Sequence, residues 1–562
     1  MGSQNQFVYS ASTIDGHPRS AWMMNNKWQG AIQHGNLVPV EVTPVMPGDS
    51  FKCKLSAFIR TATQPIFPFM DRITASFAAF FVPKRLVWSK TKQFYGENVE
   101  GYGIQSEVLE PRDNGGHCFV NRSSVATYPY SIASYLKIVN QAANLGEHPT
   151  PINLNAIRCF LQVYNDWFRN ENFHSPYLWD HDQTGDADRY IATKSGSNVS
   201  GTNHVPTVCK ELDVFTACLP WTQKASSPIA LPLGDRAVVK LIPASELTGE
   251  GGQNESPHFV KKNGTSYAAY EQTLIDNGAN IAGDLSPDVP GFINPNGSLY
   301  ADLRNATAAN VNQLRLAVAT QRYFETLARC GSRYREYIKA MFGVEIGDTT
   351  AQMAEYLGGF SLDINIDQVV STAGYSAGSS NTVGSVGAVS VSGASKDLYK
   401  KSFVEPGFVV VVMYTKHNRT YGQGLDAMFT KHEIWDEYNP KFAFIGEQPV
   451  KKSRIFFDGN AVNDDATFGF NEYANEYRYK EDMVVGLLSP SNSSSYDFCN
   501  LADKYASAPT LSGDFLLEDR NAIARCLAGG DSSPDYFVDL YFERKVARPM
   551  PLDSVPGLMD HF

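Results

Sequence analysis

Ten residues in the first hundred, Ile73–Val82, read ITASFAAFFV, with Thr74 and Ser76 as the only polar side chains. A run this apolar, closed by Pro83, fits a β-strand buried on both faces, because a half-exposed strand alternates. Such a strand needs a layer of structure above and below it. Further strand-like runs precede it at Leu37–Val45 and Ser50–Arg60, with Pro39, Pro44, Pro47, Gly48, Pro65 and Pro68 as turn or edge positions. Strands return after Phe403, at Gly407–Thr415, Ala443–Ile445, Met483–Leu488 and Tyr536–Lys545. β-rich ends with other material between them predict a mainly-β sandwich whose strands come from distant parts of the chain.

Helical patterns are few. Tyr130–Asn144 and Ile157–Asn170 are short candidates, and Ala308–Phe342 is a longer one broken by Gly331. In its second half Tyr334, Tyr337, Ile338, Met341 and Phe342 form an amphipathic stripe, and Asn310 is placed to cap the first half. Residues 1–33 read as a polar arm, and 234–298 as an irregular insertion rich in Gly, Asn, Ser and Pro. Thr372–Ser395 reads as a flexible or flat β-like surface loop dominated by Gly, Ser and Val. The tail 547–562, with Pro549, Pro551 and Pro556, reads as an extended arm.

The balance of 48 Lys and Arg against 59 Asp and Glu leaves a net charge of −11. That argues against tight binding of nucleic acid by the chain as a whole, because phosphate contacts need cations. One basic stretch stands out: Arg19, Lys27, Lys52, Lys54 and Arg60, against only Asp15, Glu41 and Asp49 up to position 60. These five form the candidate basic face for contact with nucleic acid. Aromatics make up 12% of the chain and charged residues only 19%, which predicts large buried surfaces within or between subunits. The eight cysteines form no C-x-x-C pair, so they read as reduced, mostly buried thiols without a zinc site. The start lacks the apolar core of a signal peptide. The longest unbroken apolar run, Phe408–Tyr414, is far short of the roughly 20 residues that span a bilayer, so no membrane insertion is expected.

Catalytic signals are sparse. Gly374-Tyr-Ser376-Ala-Gly378 matches the G-x-S-x-G elbow that would make Ser376 the nucleophile of a β-sandwich serine hydrolase, the alternative function. The next residues along the chain are SSNTVGSVG, a poor helix where the elbow needs one. Gly422-x-Gly424-x-x-Ala427 has a dinucleotide spacing but no βαβ series around it. Asp180, Asp182 and Asp188 resemble part of a calcium loop, with Ile191 where a bidentate Glu belongs. No catalytic residue, no metal ligand set and no cofactor are expected.

Several segments, in order, resemble the major capsid proteins of the microviruses, small icosahedral single-stranded DNA phages, and most closely the gokushovirus branch. They are FAAFFVPKRLVW at Phe77–Trp88, YNDWFRNENF at Tyr164–Phe173, CLPWTQK at Cys218–Lys224, LYADLRNATAANVNQLRLA at Leu299–Ala317, RYREYIKAMFGV at Arg333–Val344, EYLGG at Glu355–Gly359, IGEQ at Ile445–Gln448, EYRYK at Glu476–Lys480 and ARPMPLDSVPGLMDHF at Ala547–Phe562. The resemblance implies a single eight-stranded antiparallel jelly roll, viral-capsid type, discontinuous over 34–233 and 299–562, with large loop and helical insertions. It implies a coat protein that self-assembles into a T=1 shell around circular single-stranded DNA in the bacterial host cytoplasm. The implied partners are further copies of itself, the packaged DNA, an internal scaffolding protein, a DNA pilot protein and a host surface receptor. The receptor would be met by 234–298 at the three-fold protrusions. The acidic balance adds a possible small basic DNA-binding protein. Arg548, Pro549, Met550, Pro551, Pro556 and Phe562 are the candidate inter-subunit arm residues.

Overall fold

The computed structural model describes residues 19–89, 91–95, 119–121, 130–137, 151–153, 155–177, 205–224, 238–241, 259–260, 292–293, 299–302, 311–372, 384, 386–492, 494–530 and 533–552. The chain divides into two compact units, one of residues 1–222 and 327–562 and one of residues 223–326.

The first unit is built on two antiparallel sheets. One contains β1 (Ser20–Met23), β2 (Asn26–Ile32), β4 (Ser50–Thr61), β13 (Ile366–Val370), β14 (Val386–Ser402) and β18 (Tyr536–Arg548). Its order is β1-β18-β4-β14-β13, with β2 also paired to β18. The other contains β3 (Val38–Val45), β5 (Ile73–Pro83), β12 (Glu355–Ile364) and β15 (Gly407–His417), in the order β12-β5-β15-β3. Sequence neighbours β3 and β4 lie in different sheets, and the last long strand, β18, sits between the first strands and β4. Mainly-β architecture with strands drawn from both chain ends is therefore what the molecule has.

The core lies between the sheets. Phe51, Cys53, Leu55, Ala57 and Ile59 of β4 and Val538, Leu540 and Phe542 of β18 point into it, all under 5% exposed. β5 is buried along nearly its whole length, as its apolar run requires. One of its faces meets the core, where Phe81 and Phe51 both pack on Phe403. The other is covered by the helix Asn155–Val163 and the π-helical turn Tyr164–Phe168. There Phe80 touches Trp167, Phe168 and Tyr356, with ring centroids 5.5, 6.0 and 5.5 Å away. Trp167 Nε1 donates to Ala354 O at 2.8 Å and Asp166 accepts from Ala354 N at 2.8 Å, which pins the helical layer to the start of β12.

A smaller core joins the excursion between β15 and β18 to the segment that holds Phe215 and Cys218. Phe215, Cys218, Tyr421, Val450, Ile455, Phe468, Phe515 and Leu516 form it, beside the hairpin of β16 (Glu447–Lys451) and β17 (Thr467–Glu472). Elsewhere in the first unit, β6 (Phe119–Asn121) pairs with β7 (Pro151–Asn153). In the second unit β8 (Val238–Leu241) pairs with β11 (Leu299–Asp302), and β9 (Phe259–Val260) with β10 (Phe292–Ile293).

Several expectations need correction. The second half of the supposed N-terminal arm is sheet: Ser20–Met23 and Asn26–Ile32 pair along β18. Polar composition hid them because only one side of these edge strands meets the core. The supposed C-terminal arm likewise begins inside β18, since Ala547 and Arg548 pair with Ala21 and Ser20. Val386–Ser395, read as loop, lies in the 17-residue β14; small residues suit a strand wedged between two others. Ala443–Ile445 and Met483–Leu488 are not strands. Ala443–Ile445 is a turn after the 3-10 segment Pro440–Phe442, and Met483–Leu488 holds a single bridge from Met483 to Tyr421 followed by the 3-10 segment Gly486–Leu488; Gly446 and Gly486 adopt positive φ. The long helix forms as Val311–Arg329 and Tyr334–Phe342, broken at Gly331 with φ +86°. The stripe on its second half has no buried member, and Tyr334 and Phe342 are 67% and 70% exposed. Asn310 lies outside the described residues.

Candidate functional site

The outer face of the β4/β18 sheet is a regular surface that the described residues leave uncovered. On β4 the burial alternates, so Lys52, Lys54, Ser56, Phe58 and Arg60 share the outward side. On β18 the outward set is Phe537, Asp539, Tyr541, Glu543 and Lys545. The register places Arg60 opposite Phe537, Phe58 opposite Asp539, Ser56 opposite Tyr541, Lys54 opposite Glu543 and Lys52 opposite Lys545. β2 adds Lys27 beside Tyr541 and Gln29 beside Asp539, and β14 adds Gly393 beside Phe58, Ser395 beside Ser56 and Lys400 beside Lys52.

Four of the five predicted basic residues, Lys27, Lys52, Lys54 and Arg60, thus lie on one face. Arg19 sits at its end and donates to Ser50 Oγ at 2.7 Å. Lys400 and Lys545 join them and were not anticipated, nor were the exposed rings of Phe58, Phe537 and Tyr541. The period-2 pattern of Tyr536–Lys545 already separated these residues from Val538, Leu540 and Phe542. Lys27 pairs with Asp539 at 2.8 Å and Lys52 with Asp397 at 3.7 Å. Among the described residues no carboxylate lies within ion-pair distance of Lys54, Arg60 or Lys545. In a chain of net charge −11, this face has six Lys or Arg against Asp397, Asp539 and Glu543 on β2, β4, β14 and β18.

At the rim where the two sheets meet lies a buried polar cluster. His34 follows β2, His417 ends β15, and Glu518 comes from the excursion, all within 5% exposure. Glu518 Oε1 is 3.1 Å from His34 Nε2 and 2.8 Å from His417 Nδ1. The His417 backbone N–H donates to the same oxygen at 3.1 Å. Arg419 donates to Glu518 Oε2, to Asp503 Oδ1 at 2.7 Å and to His417 Nε2 at 3.1 Å. Lys210 Nζ completes the Asp503 pair at 2.8 Å. His34, His417 and Glu518 are grouped closely enough to hold a metal ion. Arg419 argues against that role. A guanidinium only donates, so His417 Nε2 accepts, its Nδ1 carries the proton, and that proton goes to Glu518. The cluster is thereby held as a hydrogen-bonded clasp, in which Arg419 Nε is the buried donor left without a partner among the described residues. Burial, with the Arg419 charge, lowers the His417 pKa to about 4. Burial opposes ionisation of Glu518, yet the hydrogen bonds from both histidines and the charge of Arg419 hold it well below the usual carboxylate range.

The other sequence candidates fare differently. Ser376, Asp180, Asp182, Asp188, Pro556 and Phe562 lie outside the described residues. The segment holding Ser376 connects β13 to β14, which pair antiparallel with Val370 opposite Val386. The described elements on either side of Ser376 are thus both strands. Gly424 is a packing residue: a Cβ there would fall 1.9 Å from Arg454 O, inside the smaller core. Arg548 is held by its own chain, paired with Asp49 at 3.2 Å and donating to Pro44 O at 3.0 Å. Pro549 and Pro551 come after it, and Met550 is 42% exposed. The thiols of Cys53, Cys209, Cys218, Cys499 and Cys526 are free, and burial pushes Cys53 up to about 11 and Cys218 and Cys526 to about 12. No helix among the described residues is long and apolar enough to cross a membrane.

The excursion between β15 and β18 presents an unusual number of large apolar side chains to solvent. Phe429, Ile434, Phe444, Val462, Val485 and Leu487 are 57–98% exposed. Large apolar side chains left this exposed make the excursion a candidate surface for protein contact.

Residues 12–558 match the capsid protein (F protein) family. The chain is 31% identical to capsid protein VP1 of Chlamydia phage 1, over 96% of this chain and 96% of that protein. It is 31% identical to capsid protein VP1 of Spiroplasma virus 4 over 99% of each. It is also 31% identical to capsid protein VP1 of Bdellovibrio phage phiMH2K, over 94% and 93%. The match over residues 12–558 and the likeness to three phage coats over nearly the full length of each place this chain in the capsid protein (F protein) family, as a structural protein of the virion rather than an enzyme.

Proposed function

We propose that this coat protein builds a closed T=1 icosahedral shell around a circular single-stranded DNA genome, with the β4/β18 sheet face turned toward the DNA. The observation that carries the reading is the contrast between two uncovered surfaces of one chain. The apolar excursion suits burial against neighbouring copies. The cationic sheet face suits phosphate. Closed symmetry lets every copy bury the same patches at once. The strand orders β1-β18-β4-β14 and β12-β5-β15-β3 support reading the sandwich as an eight-stranded jelly roll, with β1 and β2 together as its first strand.

The remaining assignments belong to the same proposal. An internal scaffolding protein guides assembly, and a DNA pilot protein travels with the genome. Because the subunit is acidic, a small basic DNA-binding protein supplies countercharge. Residues 234–298 contact the host receptor. Deleting them should leave assembly intact and lower host adsorption. Pro549–Pro551 and the residues after them reach a neighbouring subunit.

Light scattering on native material, combined with the nucleic-acid to protein absorbance ratio before and after nuclease, tests the reading. A megadalton particle with nuclease-resistant nucleic acid is the expected result. A small oligomer with protein-only absorbance, even when co-expressed with the scaffolding protein, would overturn it.

A further inference from the structure

Charge alone does not account for the bare sheet face. Phe58, Phe537 and Tyr541 stand 45%, 40% and 41% exposed on it, where the solvated face of an antiparallel sheet is ordinarily polar. Phe58 lies opposite Asp539, so Phe537 and Tyr541 are its two diagonal neighbours. Diagonal steps on a sheet are about 7–8 Å. The three rings therefore form a short zigzag row. Small neighbours keep it open: Gly393 beside Phe58, and Ser56 beside Tyr541. Cations interleave with the rings. Arg60 lies over the Phe537 ring at 5.7 Å, and Lys27 is opposite Tyr541.

Two kinds of occupant can be weighed. A protein interface is depleted in lysine and charge at its centre, and this face has lysines throughout. An unpaired nucleic acid asks for cations along its backbone and ring faces for its bases, in any sequence. A duplex offers phosphates but hides its base faces, so the rings gain nothing from it.

We propose that Phe58, Phe537 and Tyr541 form a base-stacking row for unpaired DNA, with Lys54, Arg60 and Lys545 meeting its phosphates. The inference rests on the reading of this sheet as the inner wall of a genome-filled shell. It adds that the wall distinguishes single strands from duplex and does so without sequence preference.

The test uses the purified full-length chain and two fluorescent probes, a thymidine oligomer of about fifteen nucleotides and a duplex of equal length. Wild type should bind the single strand about ten-fold more tightly than the duplex. The variant F58L/F537L/Y541L, which keeps an apolar surface and the net charge, should bind the single strand about ten-fold more weakly and the duplex unchanged. Lys54→Gln with Lys545→Gln should weaken both. Equal single-strand binding by wild type and the leucine variant would overturn the stacking row and leave the wall reading standing. No binding of either probe by wild type at low salt would overturn both. In genome-filled particles, ultraviolet irradiation should crosslink peptides of β4 and β18 to DNA. Crosslinks from those peptides to another protein alone would assign the face to a protein partner and overturn the inference.

Discussion

On the outer face of the β5/β15 sheet, Phe80 is 2% exposed and lies among Trp167, Phe168 and Tyr356. On the outer face of the β4/β18 sheet, Phe58 is 45% exposed beside Gly393. Both are phenylalanines on central strands of the same sandwich. One has been given a helical layer and the other has not. The covered face consumes its aromatic side chains in stability. The bare face keeps its rings and cations available to whatever the chain meets next, and the alternation of β4 and β18 lets it do so without disturbing the core behind.

The largest effect should come from the covered face. Phe80→Ala removes three ring contacts and leaves a cavity, and should cost about 3–5 kcal/mol in urea unfolding of the subunit. Phe58→Ala should cost less than about 1 kcal/mol. An equal loss at both positions would mean that the bare face is covered in solution. The clasp that joins the two sheets should be nearly as sensitive. Glu518→Gln removes the charge that accepts from His34, His417 and Arg419, and should cost about 3 kcal/mol or more because buried Arg419 is left to share the single carboxylate of Asp503 with Lys210.

Acid should act on the same clasp. The His417 pKa is lowered from 6.5 to about 4 in the folded chain, so the unfolded chain takes up this proton first. The stability it contributes is complete above about pH 6.5 and is lost as pH falls toward 4, by up to about 3 kcal/mol. Melting temperatures across that window should fall in wild type and fall less in a His417→Gln variant. The smallest effect on stability should come from the bare face. Lys54→Gln with Lys545→Gln should change the unfolding free energy by less than about 0.5 kcal/mol, while the slope of oligonucleotide affinity against salt drops by about 1–2. A slope that does not move would place phosphate elsewhere.

Much of the sandwich was legible in the chain. The apolar run at Ile73–Val82 specified a doubly covered strand, and β5 spans Ile73–Pro83. Ser50–Arg60 and Tyr536–Lys545 marked β4 and β18 to within a few residues. Composition near edges and turns misled. Asn26–Ile32 looked like an arm because half of an edge strand faces water. Ala443–Ile445 looked like a strand, yet it is a turn in which Phe444 is 98% exposed, because a short apolar run does not by itself fix a partner strand.

Period and charge along the chain specify a β-rich, layered and acidic protein with one basic stretch near its start, and the order of its motifs pointed to a phage coat. Local pattern carries that much, since period and charge are properties of neighbours along the chain. Tertiary structure alone decided that Lys54 and Arg60 would share a face with Phe537, Tyr541 and Lys545, more than 470 positions away. It also brought His34, His417 and Glu518 onto one carboxylate oxygen. Both arrangements depend on the sheet order that sets β18 beside β4 and closes the rim, and pairing between distant strands is chosen by the packing of the whole sandwich rather than by any segment of it.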